Sequence, residues 1–363
     1  MTVLPSTIAL PFARATGSPF EVGSRHGAAR AAELRAFLDD GLARIARLAP
    51  EPVSVAALLP RLAAYSAAIA AATPRLSEEI DGLAQGAGIS REEAVLLQVR
   101  REIIGFQRVP AAGDCTTYAS LTAGPGGGPV LAQTVDLNGN LDDQITVLDI
   151  GLDNAPRRAL VLSFGGLLGY LGVNSDGLAI GLNLVLGGDW QPGLPPYLAI
   201  RHLLDQAGSV AEALDILPGL PLASSRSLTL CDQHSVACAE IVDNELRLVE
   251  PGVHTNHLLH PDLINRDALN VFARNSSRLR LAAGQSALAE LAADAAGGGA
   301  DVEQHFARLS RPPICVADTG DIRRERTVAA VVMLPDRGEL HIRPGDPSRS
   351  ATQSFRIDVA VRR

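Results

Sequence analysis

The sequence predicts an α+β fold, with packed antiparallel sheets flanked by helices, on two observations. The first third of the 363-residue chain carries apolar and alanine residues at helical spacing, and from Gly113 onward short strand-like runs alternate with Gly, Asn and Asp turns. Helices first, then strands with interspersed helices, is the order expected of sheets that bury one face under helices.

The elements follow in order. Residues 23–48 read as helix, and residues 55–76 as a second helical stretch interrupted by Pro60 and stopped near Pro74. A helix capped at Ser77 ends around Gly86, and another starts at Ser90 with Glu93 three residues on, a capping-box spacing. Residues 122–135, "TAGPGGGPVLAQTV", read as a hairpin with a Gly-rich tip. Residues 158–185 give two or three strands around the turn "NSDG", residues 195–217 a helix, and residues 225–251 a strand meander. Residues 277–310 return to helix with a "GGG" linker, and the chain closes on a hairpin turned at "PDRG". No repeat of fixed period is present.

Composition narrows the function. With 47% hydrophobic and 20% charged residues the chain reads as an ordinary globular protein, and a net charge of -8 argues against nucleic acid or an anionic membrane as partner. There is no lysine, so all 32 basic residues are arginine, which excludes Schiff-base lysine chemistry and a P-loop lysine. No nucleotide fingerprint supports a coenzyme A site, and no cofactor is expected. Cys115, Cys231, Cys238 and Cys315 are too few and too scattered for a disulfide framework. Cys231 and Cys238 with His234 are looser than structural zinc prefers, so no metal is expected. The N-terminus lacks the pattern of a signal peptide, and no run approaches the ~18 apolar residues that span a bilayer, so the expected location is cytoplasmic.

The stretch "AAGDCTTYAS" places Cys115 where an irregular, Pro-containing connector (residues 106–114) meets a strand-like run. A thiol is nucleophilic only as thiolate, and an unperturbed cysteine has a pKa of about 8.5. A nearby histidine can lower that cost. So can the residue's own α-amine, if the chain is cut just before it, since that amine has a pKa of about 7.7–8.0. A cysteine at a strand start after a connector suits the second arrangement, although a small buried strand residue is the plainer reading of "CTT" alone.

The rest of the chain resembles the acyl-CoA:6-aminopenicillanic-acid acyltransferase family of N-terminal-nucleophile (Ntn) enzymes. The resemblance is carried by "GSPFEVGSRHG" with His26 and Gly27, and by "LSEEIDGLAQGAGISREEAVLLQVRREI" with Glu79, Gly82, Gly86 and Glu102. It continues through "GDCTTYAS", "LAQTVDL" with Gln133 and Asp136, "LGVNSDGLAIGLNLV" ending in Asn183, "VHTNHLL" with Asn256, "SSRLRL" and "RTVAAVVM". Thr134 and Val135 depart from the family pattern. So does Asp114, which stands where the family carries glycine before its cysteine.

The resemblance implies an αββα sandwich made as a precursor that cuts itself between Asp114 and Cys115. The helical segment 1–114 and the catalytic portion 115–363 would then form one globular unit. Cys115 would attack an amide carbonyl, Asp136 would orient the freed amine, Asn256 would face the developing oxyanion, and Asn183 would be a second polar group in the site. Thr117, Arg278 and Arg326 would contact substrate, the arginines as forks for a carboxylate. Each has a plainer alternative: Asn174 a turn residue, Asn183 an internal backbone partner, Asp136 a cap for the Asn138–Gly139 turn, either arginine a solvated charge, and His26, His254 and His257 structural histidines. The expected partners are a small-molecule amide or acyl donor and the cleaved N-terminal segment, with self-association left open. Two rival readings stand beside this one: an uncut thiol hydrolase pairing Cys115 with a histidine, and a catalytically silent binding protein.

Overall fold

The computed structural model describes residues 9–48, 53–105, 115–153, 155–295 and 299–358. Its first element is one the sequence reading did not include: β1 (Phe12–Gly17), which pairs in parallel with β4 (Ile145–Leu152). Alternate burial of Ala13 and Ala15 is its only sequence mark, too short to stand out.

Six helices follow: α1 (Pro19–Ala29), α2 (Ala31–Asp39), α3 (Ile45–Leu48), α4 (Val55–Ala72), α5 (Pro74–Ala87) and α6 (Arg91–Ile104). The capping box at Ser90 and Glu93 is present. The cap expected at Ser77 is not, because α5 starts a turn earlier with Pro74 at its first position, where a missing N–H costs nothing. Pro60 does not interrupt α4. Leu58, Leu62, Tyr65 and Ile69 recur on one buried face, and that packing outweighs the proline. Helix α4 is therefore long and apolar enough to cross a membrane by length and composition, with mean hydropathy 1.6 and 22% of its length buried. The expectation that no run reaches that length is corrected here.

Helices α1 and α5 approach closely through glycines. A Cβ on Gly23 would stand 1.9 Å from the Glu79 carbonyl oxygen, and one on Gly82 would stand 2.0 Å from that of Phe20. Glu79 itself is held by both arms of Arg201, at 2.9 and 3.0 Å, on α7 (Pro196–Gln206).

The strands form two sheets. One joins β1, β4, β5 (Arg158–Phe164), β6 (Leu171–Asn174), β7 (Ala179–Leu184), β8 (Arg226–Cys231), β9 (Val236–Val242) and β10 (Glu245–Val249) in that order. The other runs β11 (Val253–His254), β2 (Thr116–Ser120), β3 (Val130–Leu137), β12 (Arg326–Leu334), β13 (Glu339–Pro344) and β14 (Gln353–Arg356). The Gly-rich and "PDRG" hairpins join β2 to β3 and β12 to β13 as expected, and "NSDG" turns β6 into β7. Two helices, α7 and α8 (Val210–Ile216), occupy the stretch read as one, and α9 (Val271–Ala295) and α10 (Val302–Leu309) flank the glycine linker.

Strands β2 and β3 pack face to face on β7 and β8, with α1 and α7 outside the first sheet and α9 and α10 outside the second. This is the αββα sandwich that the resemblance implies. Gly181 permits the close approach, since a Cβ there would lie 2.7 Å from Gln133 Oε1. Gln133 then ties the sheets together: its Nε2 donates to the Leu182 carbonyl at 2.8 Å, and Leu182 N–H donates back to Oε1 at 3.0 Å.

Candidate active site

Cys115 directly precedes β2 and is 3% exposed. Its Sγ accepts the backbone N–H of Asp136 at 3.3 Å from the neighbouring strand β3. Its carbonyl is gripped from two sides, by Asn183 Nδ2 at 3.0 Å and by Arg280 Nη1 at 2.8 Å. Three elements distant in sequence, β7, α9 and the start of β2, thereby fix one residue.

The Asp136 carboxylate is fixed too. It accepts Thr134 Oγ1 at 3.1 Å and Thr327 Oγ1 at 2.6 Å, Thr327 being its cross-strand partner on β12. Thr134, a departure from the family pattern, therefore serves the site: a short hydroxyl side chain at that position reaches the carboxylate two residues on. Cys115 and Asp136 both line a cleft of about 780 Å³, open mouth included, with Phe164, Leu167, Tyr170, Leu182, Leu184 and Tyr197 as its apolar wall. The cleft occupies the end of the sandwich where β3 and β7 finish and β8 begins, and α6 and α7 close it.

Asn183 does satisfy a backbone group, as its plainer reading had it, but that group belongs to Cys115. Asn256 stands one step away. Its Nδ2 donates to the carbonyl of Leu184, a cleft residue, at 2.8 Å, and its Oδ1 is buried without a hydrogen-bond partner. The Asn256 backbone is held by Ser277 Oγ at 2.9 Å, and Ser277 also bonds His257 Nδ1 at 2.7 Å. Thr117 is buried between the sheets with Oγ1 unbonded and does not line the cleft.

The two expected substrate arginines are placed elsewhere. Arg278 is exposed on α9, whereas Arg280, two residues on, is fully buried against Cys115. The reason is helical phase: Ser277, Arg280 and Gly284 share the inner face at i, i+3 and i+7, and Arg278 points away. That spacing was readable in "SSRLRLAAG", and it would have selected Arg280. Arg326 is held by Asn140 at 3.1 Å and Asp142 at 2.5 Å and does not line the cleft, which leaves no fork for a substrate there. The cationic residues that do line the cleft are Arg100, Arg101 and Arg226. Sequence reasoning missed them because nothing local separates α6 arginines facing a cleft from arginines facing solvent. Asp114 lies outside the described residues.

Neither His26, His254 nor His257 lines the cleft. Burial, then the charges of Arg201 and Arg30, pull His26 down to about 3. Burial and the neighbouring His254 pull His257 down to about 4. His254 is occupied, with Nδ1 on the Thr255 carbonyl side at 2.7 Å and Nε2 on Glu240 at 2.8 Å. None of the other three cysteines lines the cleft. Burial pushes Cys238 and Cys315 up to about 12 and Cys231 higher still. Among the described residues no group of three or more His, Cys, Asp or Glu is placed to hold a metal ion.

A family model described as acyl-coenzyme A:6-aminopenicillanic acid acyl-transferase matches residues 123–349. A relative from Emericella nidulans, the acyl-coenzyme A:6-aminopenicillanic-acid-acyltransferase 40 kDa form, is 29% identical over 254 residues, covering 67% of this chain and 68% of its own. Among solved structures, a mutant conjugated bile acid hydrolase from Clostridium perfringens aligns at 12% identity and TM-score 0.43, over 69% of this chain and 99% of its own. A Caenorhabditis elegans N-acylethanolamine-hydrolyzing acid amidase ortholog aligns at 16% identity and TM-score 0.42, over 67% and 99%.

Proposed function

Because this chain belongs to the acyl-coenzyme A:6-aminopenicillanic acid acyl-transferase family, an acyl-transfer or amide-hydrolysis family, we propose that Cys115 is its nucleophile, freed as an N-terminal residue by self-cleavage after Asp114. The observation that carries this reading is the grip on Cys115: a buried thiol in a cleft, its carbonyl held by Asn183 and Arg280, beside a carboxylate held by two threonine hydroxyls.

The freed α-amine takes the thiol proton, and Asp136 steadies the ammonium that results. Sγ then attacks the carbonyl carbon of a linear amide, and the negative charge moves to the carbonyl oxygen. Neutral amide donors suit that oxygen, and Asn256 beside the cleft is the group of the right kind. Collapse breaks the carbon–nitrogen bond, the leaving nitrogen takes the former thiol proton from the α-ammonium, and a thioester remains on Cys115. Water or a second amine then accepts the acyl group, so hydrolysis and transfer differ only in the acceptor.

The uncut thiol hydrolase has less support, since no histidine lines the cleft and both His26 and His257 are held neutral by burial. Intact mass of the purified protein tests the proposal. Active enzyme should contain two associated pieces, residues 1–114 and 115–363, with substrate acyl mass appearing on the second. A single full-length mass in active enzyme would sink it.

A further inference from the structure

The loop that carries Asn256 is closed on one carboxylate. Glu240 lies on β9 of the first sheet, in register with Ser227 on β8, and its side chain crosses to the second sheet. There its Oε1 meets His254 Nε2 at 2.8 Å and accepts the backbone N–H of Leu259 at 2.6 Å, while Oε2 accepts that of His260 at 3.0 Å. Residues 254–260 therefore leave the end of β11 and return to the same side chain.

His254 is charged in this arrangement. Its Nδ1 stands 2.7 Å from the Thr255 carbonyl oxygen, which can only accept, so that nitrogen holds a hydrogen. Glu240 stays ionised: burial pushes its carboxyl up, but His254 and the N–H groups of His260 and Leu259 outweigh burial and hold it below the ordinary value. An ionised carboxylate also only accepts, so Nε2 is a donor as well. The two side chains are buried, and a charged hydrogen bond shielded from water is stronger than a neutral one.

Asn256 sits between the two ends of this loop. The register of β11 on β2 pairs His254 with Thr117, and carried two residues further it sets Asn256 level with Cys115. Helix α9 holds the loop from inside: Ser277 Oγ accepts the Asn256 N–H at 2.9 Å, and the Ser277 carbonyl accepts Thr255 Oγ1 at 3.1 Å. Leu258 is buried with Val185, Val242 and Leu263. Asn256 Nδ2 has two hydrogens, and the Leu184 carbonyl at 2.8 Å takes one of them. With only two side-chain torsions, the amide is aimed chiefly by its backbone, and so by whatever fixes the loop.

We propose that Glu240 and His254 form a charged clasp that positions Asn256. They are positioning residues: the clasp holds the second Nδ2 hydrogen toward the acyl oxygen that becomes negative when Cys115 attacks. A carboxylate is required there because three N–H groups converge on two oxygens, and a glutamine amide would turn a donor toward one of them. The clasp rests on the reading of Cys115 as nucleophile and Asn256 as oxyanion donor. It gives the first histidine of "HTNH" a task that needs no contact with the thiol.

The test is kinetic, with 4-nitrophenyl butyrate as acyl donor and release of 4-nitrophenolate as the signal. Glu240→Gln should lower kcat by roughly tenfold to a hundredfold with KM nearly unchanged, since misplacing a group by about 1 Å costs on the order of 10²-fold. In an Asn256→Ala background the same change should cost nothing further, because the donor it aims is gone. His254→Leu should behave as Glu240→Gln does. His254→Gln keeps a donor toward Glu240 and should lose only a few fold. Equal losses with and without Asn256 overturn the proposal, as does a raised KM at unchanged kcat. Should Glu240→Gln and His254→Leu fail to fold, His254→Gln decides: the same loss in both backgrounds, or none in either, overturns it. Unchanged kcat in Asn256→Ala defeats the oxyanion reading and the clasp with it. Failure of the nucleophile reading is a separate result, seen as nitrophenolate release that survives Cys115→Ala.

Discussion

The α1–α5 helix pair and the end of the β2–β3 strand pair both bury polar residues that match the same family pattern, but they differ in what remains unbonded. Between the helices, Glu79 gives both carboxylate oxygens to Arg201, and Gly23, Gly82 and Gly86 let the backbones touch. Around the cleft, Asn183 Oδ1, Asn256 Oδ1 and one Nη2 each of Arg100 and Arg101 are buried without partners. A buried polar atom left unbonded costs free energy unless a ligand meets it, so the second region is where function is expected. The first region is architecture.

The largest effect that tests this division is at Cys115. Cys115→Ala should leave a single full-length mass and no turnover above background. Cys231→Ser, Cys238→Ser and Cys315→Ser should each keep activity, because none of them lines the cleft and all three thiols are pushed well above neutral pH. Alkylation that inactivates through any of those three while Cys115 stays free would erase the contrast. In the helical region the matching experiment is Arg201→Leu. It strands Glu79 in a site 1% exposed, and breaking a buried pair from one side costs about 3–5 kcal/mol. The loss should appear in the urea midpoint, with kcat per folded molecule nearly intact.

Asn256→Ala should lower kcat by roughly 10²–10³, the usual cost of one oxyanion donor, with little change in KM. If KM rises and kcat holds, Asn256 binds ground-state substrate instead. Smaller still is the paired test on α9. Arg280→Met removes one of two donors to the Cys115 carbonyl and should reduce kcat about tenfold, as expected for one charged hydrogen bond. The exposed Arg278→Gln should change neither kcat nor stability measurably. Equal effects at the two positions would contradict the helical phase described for α9.

That pair also shows where the sequence was legible. The order of elements after β1, the capping box at Ser90 and the hairpins turned at "NSDG" and "PDRG" follow from local chemistry, and the structure carries all of them. Cys115, Asp136 and Asn183 could be named because a motif brings its residue type with it. Arg280 was within reach by phase but was passed over for its neighbour. Arg100 and Arg101 were not within reach. Their surroundings include Trp190, Gly139 and Glu325, which the fold brings to them from far along the chain. Strand β1 was missed for the same kind of reason, since its parallel partner lies more than a hundred residues away.

The smallest effect concerns His26, the exception within the helical region. Its ring is 2% exposed, and both nitrogens lack hydrogen-bond partners. Burial, then Arg201 and Arg30, hold it down at about 3, against an ordinary value of 6.5. The folded chain therefore carries this ring neutral at a pH where the unfolded chain would protonate it. Between pH 6.5 and about 3 the unfolded state binds more protons at this site, so stability falls as pH drops through that window. His257 and His305, each pulled to about 4, add to the same slope in the upper part of the window. Replacing His26 with Leu removes one proton acceptor from the unfolded state and leaves the other two. The decline in urea midpoint between pH 7 and pH 5 should become shallower by a fraction, not vanish, while kcat keeps its pH profile because His26 is remote from the cleft. A variant whose midpoint falls as steeply as the parent's would mean that His26 takes up its proton in the folded state, and that the unbonded ring is not held neutral by burial.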